Sequence, residues 1–213
     1  MQVVITGASR GIGAALAARY AARGADVIGT GRSAAAQVSL DVTRPGDFSA
    51  LAGAVGERPL DLLVCNAGVY LDKGEGLEDG YGADMWAQTF AANVTGVFLS
   101  VQALLPALRA GRGKVAIISS QMGSSTQASG TSLIYRTSKA AALNLGFNLA
   151  SALRPDGIAV GIYHPGWVRT DMGGDAADIS VDESADGLVA RFDALDMART
   201  GCFETWDGRD HPL

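Results

Sequence analysis

Short β-branched apolar runs alternate with helix-period segments along the whole 213-residue chain, and that alternation leaves few folds open. Val3-Val4-Ile5 reads as a first buried strand. Small and apolar residues then recur at helical spacing from Ile12 to Arg23, with Gly24 as the stop. Further strands are predicted at Asp26 to Thr30, Gln37 to Val42, Leu60 to Cys65, Lys114 to Ile118, Ile158 to Tyr163 and Cys202 to Trp206. Helices are expected around Phe48, Leu51, Ala52 and Val55, from Ala83 to Leu108, from Leu133 to Leu153 and from Asp182 to Leu195. The polar stretch from Gln121 to Thr131 reads as a loop. Right-handed crossovers between successive strands place helices on both faces of a parallel sheet. The predicted fold is therefore an α/β doubly wound parallel sheet in three layers, a single domain over residues 1–213. One connection is irregular: Gly31 to Ala36 is too short for a crossover helix, which takes about a dozen residues.

Composition excludes several function classes. The formal charge is −5, against the basic surplus expected of a nucleic-acid module. Hydrophobic residues at 48% and charged ones at 18% exclude a disordered solvating chain. The 28 glycines, against roughly 7% in average usage, imply tight turns or close approach of backbone to a ligand. Cys65 and Cys202 form no C-x-x-C pair, so neither a zinc site nor a disulfide framework is predicted, and Cys65 reads as a small buried hydrophobe. No uninterrupted apolar run approaches the ~18 residues of a membrane span, and the N-terminus lacks the pattern of a signal peptide. A cytoplasmic protein with no nucleic-acid or membrane partner is expected.

The segment Thr6-Gly7-Ala8-Ser9-Arg10-Gly11-Ile12-Gly13 follows the first strand and opens the first helix. Glycines at that junction permit a tight turn and let a pyrophosphate sit at the positive end of the helix. Gly7 to Gly11 also fits G-x-S-x-G, the nucleophile elbow of hydrolases. That reading fails on position, because only six residues precede Gly7 and no oxyanion segment can lie upstream. NAD-binding sheets carry an acid after the second strand for the ribose 2′-hydroxyl. Here the strand ends Thr30-Gly31-Arg32 with no carboxylate before Asp41. Arg32 and Arg10 offer two guanidinium forks for a 2′-phosphate instead, which favours NADP(H) over NAD(H).

Tyr135 and Lys139 stand at i, i+4 and share one face of a helix. With five tyrosines and three lysines in the chain, such a pair arises by accident about 0.07 times. A phenol that titrates near 10 is a poor proton shuttle at neutral pH, and an adjacent ammonium together with a cationic nicotinamide is expected to lower its pKa.

Thr6 to Gly13, Cys65-Asn66-Ala67-Gly68, Asn93, Ser119-Ser120, Tyr135-x-x-x-Lys139 and Pro165-Gly166-Trp167-Val168-x-Thr170 stand in the order seen in short-chain dehydrogenases/reductases. The chain resembles that family over essentially its whole length. His164 to Gly174, with the late Phe203-x-x-x-Asp207-Gly208, is most similar to its C-factor-like carbonyl reductases. The resemblance implies a Rossmann-type αβα sandwich and an oxidoreductase that moves a hydride between a nicotinamide and a carbonyl or alcohol. It implies Tyr135 as general acid and base, Ser120 polarising the carbonyl, Lys139 on the nicotinamide ribose, and Asn93 holding a water in a proton relay. The cofactor set it implies is Gly7, Ser9, Arg10, Gly11, Ile12, Gly13, Arg32, Asp41, Val42, Asn66, Ala67, Gly68, Tyr135, Lys139, Pro165, Gly166, Val168 and Thr170. Within that set Asp41 and Val42 frame the adenine, and Pro165 to Thr170 dock the carboxamide. A homodimer or homotetramer acting on a small-molecule carbonyl or alcohol is implied as well.

Departures from the family are visible too. Ser120 lies 15 residues before Tyr135, about two more than the family spacing, so Ser119 is a fallback for the carbonyl contact. The stretch from Thr170 to Cys202 is short, which implies a small substrate lid. His164 adjoins the nicotinamide segment, and a structural hydrogen bond is expected of it. A dinucleotide-sensing or signalling protein without turnover is the alternative function.

Overall fold

A computed structural model describes residues 1–33 and 36–213. Seven strands run through the described residues: β1 (Gln2–Ile5), β2 (Asp26–Gly31), β3 (Val38–Ser39), β4 (Leu62–Cys65), β5 (Lys114–Ile118), β6 (Ala159–His164) and β7 (Cys202–Thr205). They form one sheet in the order β3-β2-β1-β4-β5-β6-β7, and every pairing is parallel. Helices α1 (Gly11–Ala22), α2 (Phe48–Val55), α3 (Ala83–Phe90), α4 (Gly96–Gly111), α5 (Leu133–Leu153) and α6 (Val181–Ala194) flank it.

The period-2 alternation of the strands sorts the core onto two faces. Val4, Leu63, Cys65, Val115 and Ile117 point to one side, where they meet Leu51 of α2, Val97, Val101 and Leu104 of α4, and Leu143 and Leu149 of α5. Val3, Ile5, Leu62, Val64, Ala116 and Ile118 point to the other, against Leu16 and Tyr20 of α1 and Leu188 and Phe192 of α6. Cys65 is buried there as a hydrophobe, and burial pushes its thiol up to about 12. This is the three-layer doubly wound sheet that the alternation predicts.

Three local features differ from expectation. The third strand is two residues long rather than running from Gln37 to Val42, because Asp41 turns the chain back by accepting the amide and hydroxyl of Thr43. The trimmed connection before it includes residues 34 and 35, which lie outside the described residues. The helix expected from Ala83 to Leu108 continues to Gly111, and one π-helical turn, Ala91–Thr95, interrupts it between α3 and α4. By length and hydropathy this 29-residue rod is the one helix among the described residues that could cross a bilayer. Its apolar side (Val97, Val101, Leu104, Leu108) is packed in the core against the sheet. The polar loop from Gln121 holds two short 3-10 turns, Gln121–Gly123 and Ser125–Gln127, each capped by the serine before it.

Strand order reverses at β1 and β4, where the chain winds outward in both directions. In such sheets the ligand crevice lies beyond the carboxyl ends of the strands at that point. The segments after β1, β4, β5 and β6 all emerge at this edge.

Candidate active site

The loop from Gly7 to Gly13 curls tightly because two of its glycines take positive φ, +69° at Gly7 and +56° at Gly11. A Cβ on Gly13 would stand 2.2 Å from the Gly7 carbonyl oxygen and 2.5 Å from Asn66 Nδ2, so only glycine fits the start of α1. Ala8 N donates to Thr30 O at 2.7 Å, which ties the loop to the end of β2. Asn66 steadies its other side, since Nδ2 donates to the carbonyls of Thr6 and Gly7, both at 3.0 Å. Thr6 Oγ1 accepts from the amides of Asn66 and Ala67. The predicted loop residues and Asn66-Ala67-Gly68 thus form one continuous rim.

At the end of β2, Ser9 Oγ lies where a Cβ on Gly31 would sit, 1.9 Å away. Arg32 is exposed beside it, close enough to Asp41 to help lower that carboxyl's pKa; burial opposes the effect, and the Thr43 hydrogen bonds add to it. Arg10, in the glycine loop, pairs with Asp171 of the segment after β6, and both side chains are exposed there. Val42 packs against Gly96 at the start of α4, where a Cβ would come within 2.8 Å of it.

Tyr135 and Lys139 sit one turn apart near the start of α5, both buried, with Lys139 Nζ 5.7 Å from the center of the Tyr135 ring. Lys139 Nζ donates to Ile118 O at the end of β5 at 2.9 Å. Burial lowers the amine to about 8. The phenol moves the other way. Burial pushes Tyr135 up to about 12, Tyr70 and Asp72 push in the same sense, and only a hydrogen bond with Ser120 lowers it. Within the protein alone, desolvation of the phenol is the largest influence on it.

Ser120 caps the turn after β5, with Oγ accepting from Met122 N at 3.1 Å, and faces the Tyr135 hydroxyl. Ser119 is committed elsewhere, since its Oγ donates to Lys139 O at 2.9 Å. Of the two serines, Ser120 is the one that faces the Tyr135 hydroxyl.

Asn93 lies in the π-helical turn, a local irregularity often found at functional sites. Its Oδ1 accepts from Val69 N at 2.8 Å, and its Nδ2 donates to Val69 O at 2.9 Å and Ser138 Oγ at 3.0 Å. The side chain expected to hold a water thus joins the rod to the loop after β4 and to α5. A Cβ on Gly68 would stand 3.0 Å from Asn93 Oδ1 and 3.5 Å from Lys139 Nζ, so glycine keeps the space between those two polar atoms open.

The segment after β6 completes the crevice. Ser184 Oγ holds Pro165 O at 2.6 Å, Gly166 takes φ +89°, and Thr170 Cγ2 comes within 3.5 Å of where a Gly11 Cβ would be. A bridge between Val168 and Ile179 pins the base of a short excursion, the small lid implied by the sequence. His164 makes no structural hydrogen bond through Nδ1, which is buried without a partner. Burial and His211 lower its pKa to about 4, so the ring is neutral.

Two residues with no sequence signature also reach the site. Tyr70 stacks on Tyr135 with ring centers 4.3 Å apart, and Asp72, fully buried, accepts the amides at the start of α5. Both belong to a loop without periodicity or motif, and Asp72 acts on backbone 62 positions away.

Residues 1–179 match the short chain dehydrogenase family. The chain belongs to it. The family makes this protein an oxidoreductase of the CH–OH and carbonyl class. Among its relatives is the C-signal of Myxococcus xanthus, 38% identical over 161 residues, or 72% of this chain and 93% of that protein. The 1-hydroxy-2-glutathionyl-2-methyl-3-butene dehydrogenase of a Rhodococcus species is 33% identical over 97% of this chain and 96% of its own. The solved NADPH-bound carbonyl reductase from chicken fatty liver superposes with a TM-score of 0.91 at 30% identity, covering 100% of this chain and 98% of that one. This short-chain dehydrogenase carries the glycine cradle, phenol, amine and serine at one edge of one sheet.

Proposed function

We propose that this protein is an NADP(H)-dependent carbonyl reductase, or the corresponding alcohol dehydrogenase, working through Ser120, Tyr135, Lys139 and Asn93. The observation that carries the reading is convergence. Side chains from the end of β5, from α5 and from the π turn meet beside the glycine loop at the topological switch point. The residues fit a dinucleotide. Gly7 and Gly13 let the loop fold tightly against Ala67 and Asn66, so that backbone amides at the start of α1 carry no side chain above them, and the buried Lys139 amine spends one hydrogen on Ile118 O and keeps others for ribose hydroxyls.

The dinucleotide, when bound, supplies or accepts the hydride. The Tyr135 hydroxyl donates a proton to the carbonyl oxygen in reduction and takes it back in oxidation. A phenol held near 12 stays protonated throughout the neutral range but gives up its proton reluctantly, and the positive charge of an oxidised nicotinamide would lower it. Ser120 donates a hydrogen bond to the same oxygen and polarises it. Lys139, at about 8, exchanges protons near neutrality and can resupply the phenol. Asn93 holds the wall of this route by fixing Val69 and Ser138.

NADP(H) preference rests on Arg32 and on the missing carboxylate between Thr30 and Asp41. Arg32→Ala is expected to weaken NADPH binding about tenfold while leaving NADH within twofold. Titration of each cofactor checks this, and equal losses for both would remove Arg32 from the 2′-phosphate. A homodimer or homotetramer built through α4 and α5, where Phe98 is exposed, belongs to the same proposal.

Loss of NADPH absorbance with a panel of aldehydes, ketones and quinones tests the reading directly. Turnover of at least one class is expected. Binding of NADPH with no oxidation across the panel would favor the second reading, a dinucleotide sensor, which the likeness to the C-signal keeps in view.

A further inference from the structure

We propose that Asp72 is a positioning residue that sets the reacting phenol in place through the backbone of α5. Its Oδ2 accepts from Ile134 N at 2.8 Å and from Tyr135 N at 3.2 Å, and its Oδ1 lies at the same 3.2 Å from Tyr135 N. The carboxylate is fully buried, and among the described residues no cationic side chain forms a salt bridge with it. Two amides and the positive end of a 21-residue helix are what hold it there.

The helix needs this acceptor. The first amides of a helix have no partner within it. Ser132, in the N-cap position of α5, sits in the left-handed region at φ +52° and makes no capping bond. Its hydroxyl is engaged by Tyr70 Oη at 2.5 Å instead. The cap therefore comes from a distant segment, and one of its two amides belongs to Tyr135 itself.

Residues 66–72 bind the whole site together. Asn66 holds the glycine loop, Gly68 leaves the space between Asn93 and Lys139 open, Val69 pairs with Asn93, Tyr70 walls the phenol ring and Asp72 fixes its backbone. Any displacement of the cradle side is carried by this stretch to Tyr135. Misplacing a reacting group by about 1 Å costs on the order of 100-fold in rate, so an acceptor at this point governs turnover rather than binding.

This inference rests on Tyr135 being the proton donor. The test compares Asp72→Leu, which keeps the branched shape and removes the acceptor, with Asp72→Asn, which keeps one acceptor oxygen, and with Tyr135→Phe. Asp72→Leu is expected to lower kcat tenfold or more, with NADPH affinity and substrate KM within about twofold of the parent. Asp72→Asn is expected to restore kcat to within about threefold. If both variants turn over at the parent rate while Tyr135→Phe does not, Asp72 has no positioning role and the assignment of Tyr135 stands. If Asp72→Leu loses NADPH affinity and kcat together, its role is general stability and the proposal is overturned. Should Asp72→Leu fail to fold, Asp72→Ser takes its place: its shorter hydroxyl cannot span both amides, so a parent kcat in that variant overturns the proposal. Undiminished turnover in Tyr135→Phe overturns both assignments.

Discussion

Tyr135→Phe is expected to lower kcat by 100-fold or more while NADPH binds within a few-fold of the parent. The substitution deletes one hydroxyl from a buried ring. Stacking on Tyr70 needs only the ring, and the amide held by Asp72 is untouched, so the fold and the cradle persist. What is lost is the proton donor, a contribution on the order of 100- to 10,000-fold for a placed acid. Single-turnover kinetics with a reactive aldehyde, paired with NADPH titration, measure both halves. A variant that keeps its turnover would show that Ser120 or water delivers the proton.

The second large effect is on stability, and it separates Lys139 from ordinary surface lysines. Its amine titrates at about 8 in the folded protein and at 10.5 in the free side chain. Between those values the unfolded chain holds more protons than the folded one, so folded stability rises with pH across that window. The contribution is complete above 10.5 and is lost as pH falls through 8. Lys139→Met removes it. The stability of the parent relative to Lys139→Met is expected to grow by up to about 3 kcal/mol from pH 8 to 10.5, read as urea midpoints across the range. The lost hydrogen bond to Ile118 O shifts the whole difference by a constant and leaves the slope unaltered. A flat difference would mean the amine is hydrated rather than buried. Turnover of Lys139→Met is expected to fall at every pH.

Much of this site is legible before any coordinates. A glycine loop straight after a β-branched run and opening a helix favors a phosphate at the helix end, and the structure puts it at the point where strand order reverses. Tyr135 and Lys139 are readable because helical spacing alone puts them on one face. What stays hidden depends on contacts between distant segments. Nothing local marks Asp72, whose partners are backbone amides beyond α3 and α4, and Tyr70 carries no periodic signal. The direction of the Tyr135 shift within the protein alone is hidden for the same reason. Pairwise proximity of an ammonium is visible in the sequence, whereas the depth at which both groups are desolvated is a property of the packed loop above them. Arg10 and Arg32 look alike as letters, and the difference is Asp171, which the short lid carries to one of them.

The π-helical turn at Ala91–Thr95 has an outcome for length variation in this rod. It accommodates one residue more than an α-helical turn, and each residue of an α-helix advances the face by about 100°. Deleting a single residue there lets the hydrogen-bond ladder close regularly, and four α-helical residues turn through about the same angle as the five of the π turn, so the two halves of the rod keep their faces. Val97, Val101 and Leu104 stay against the sheet, while Asn93 loses the widened turn that presents it to Val69. A rod shortened by one residue at this point keeps its stripe of the core and must rebuild a wall of the active site.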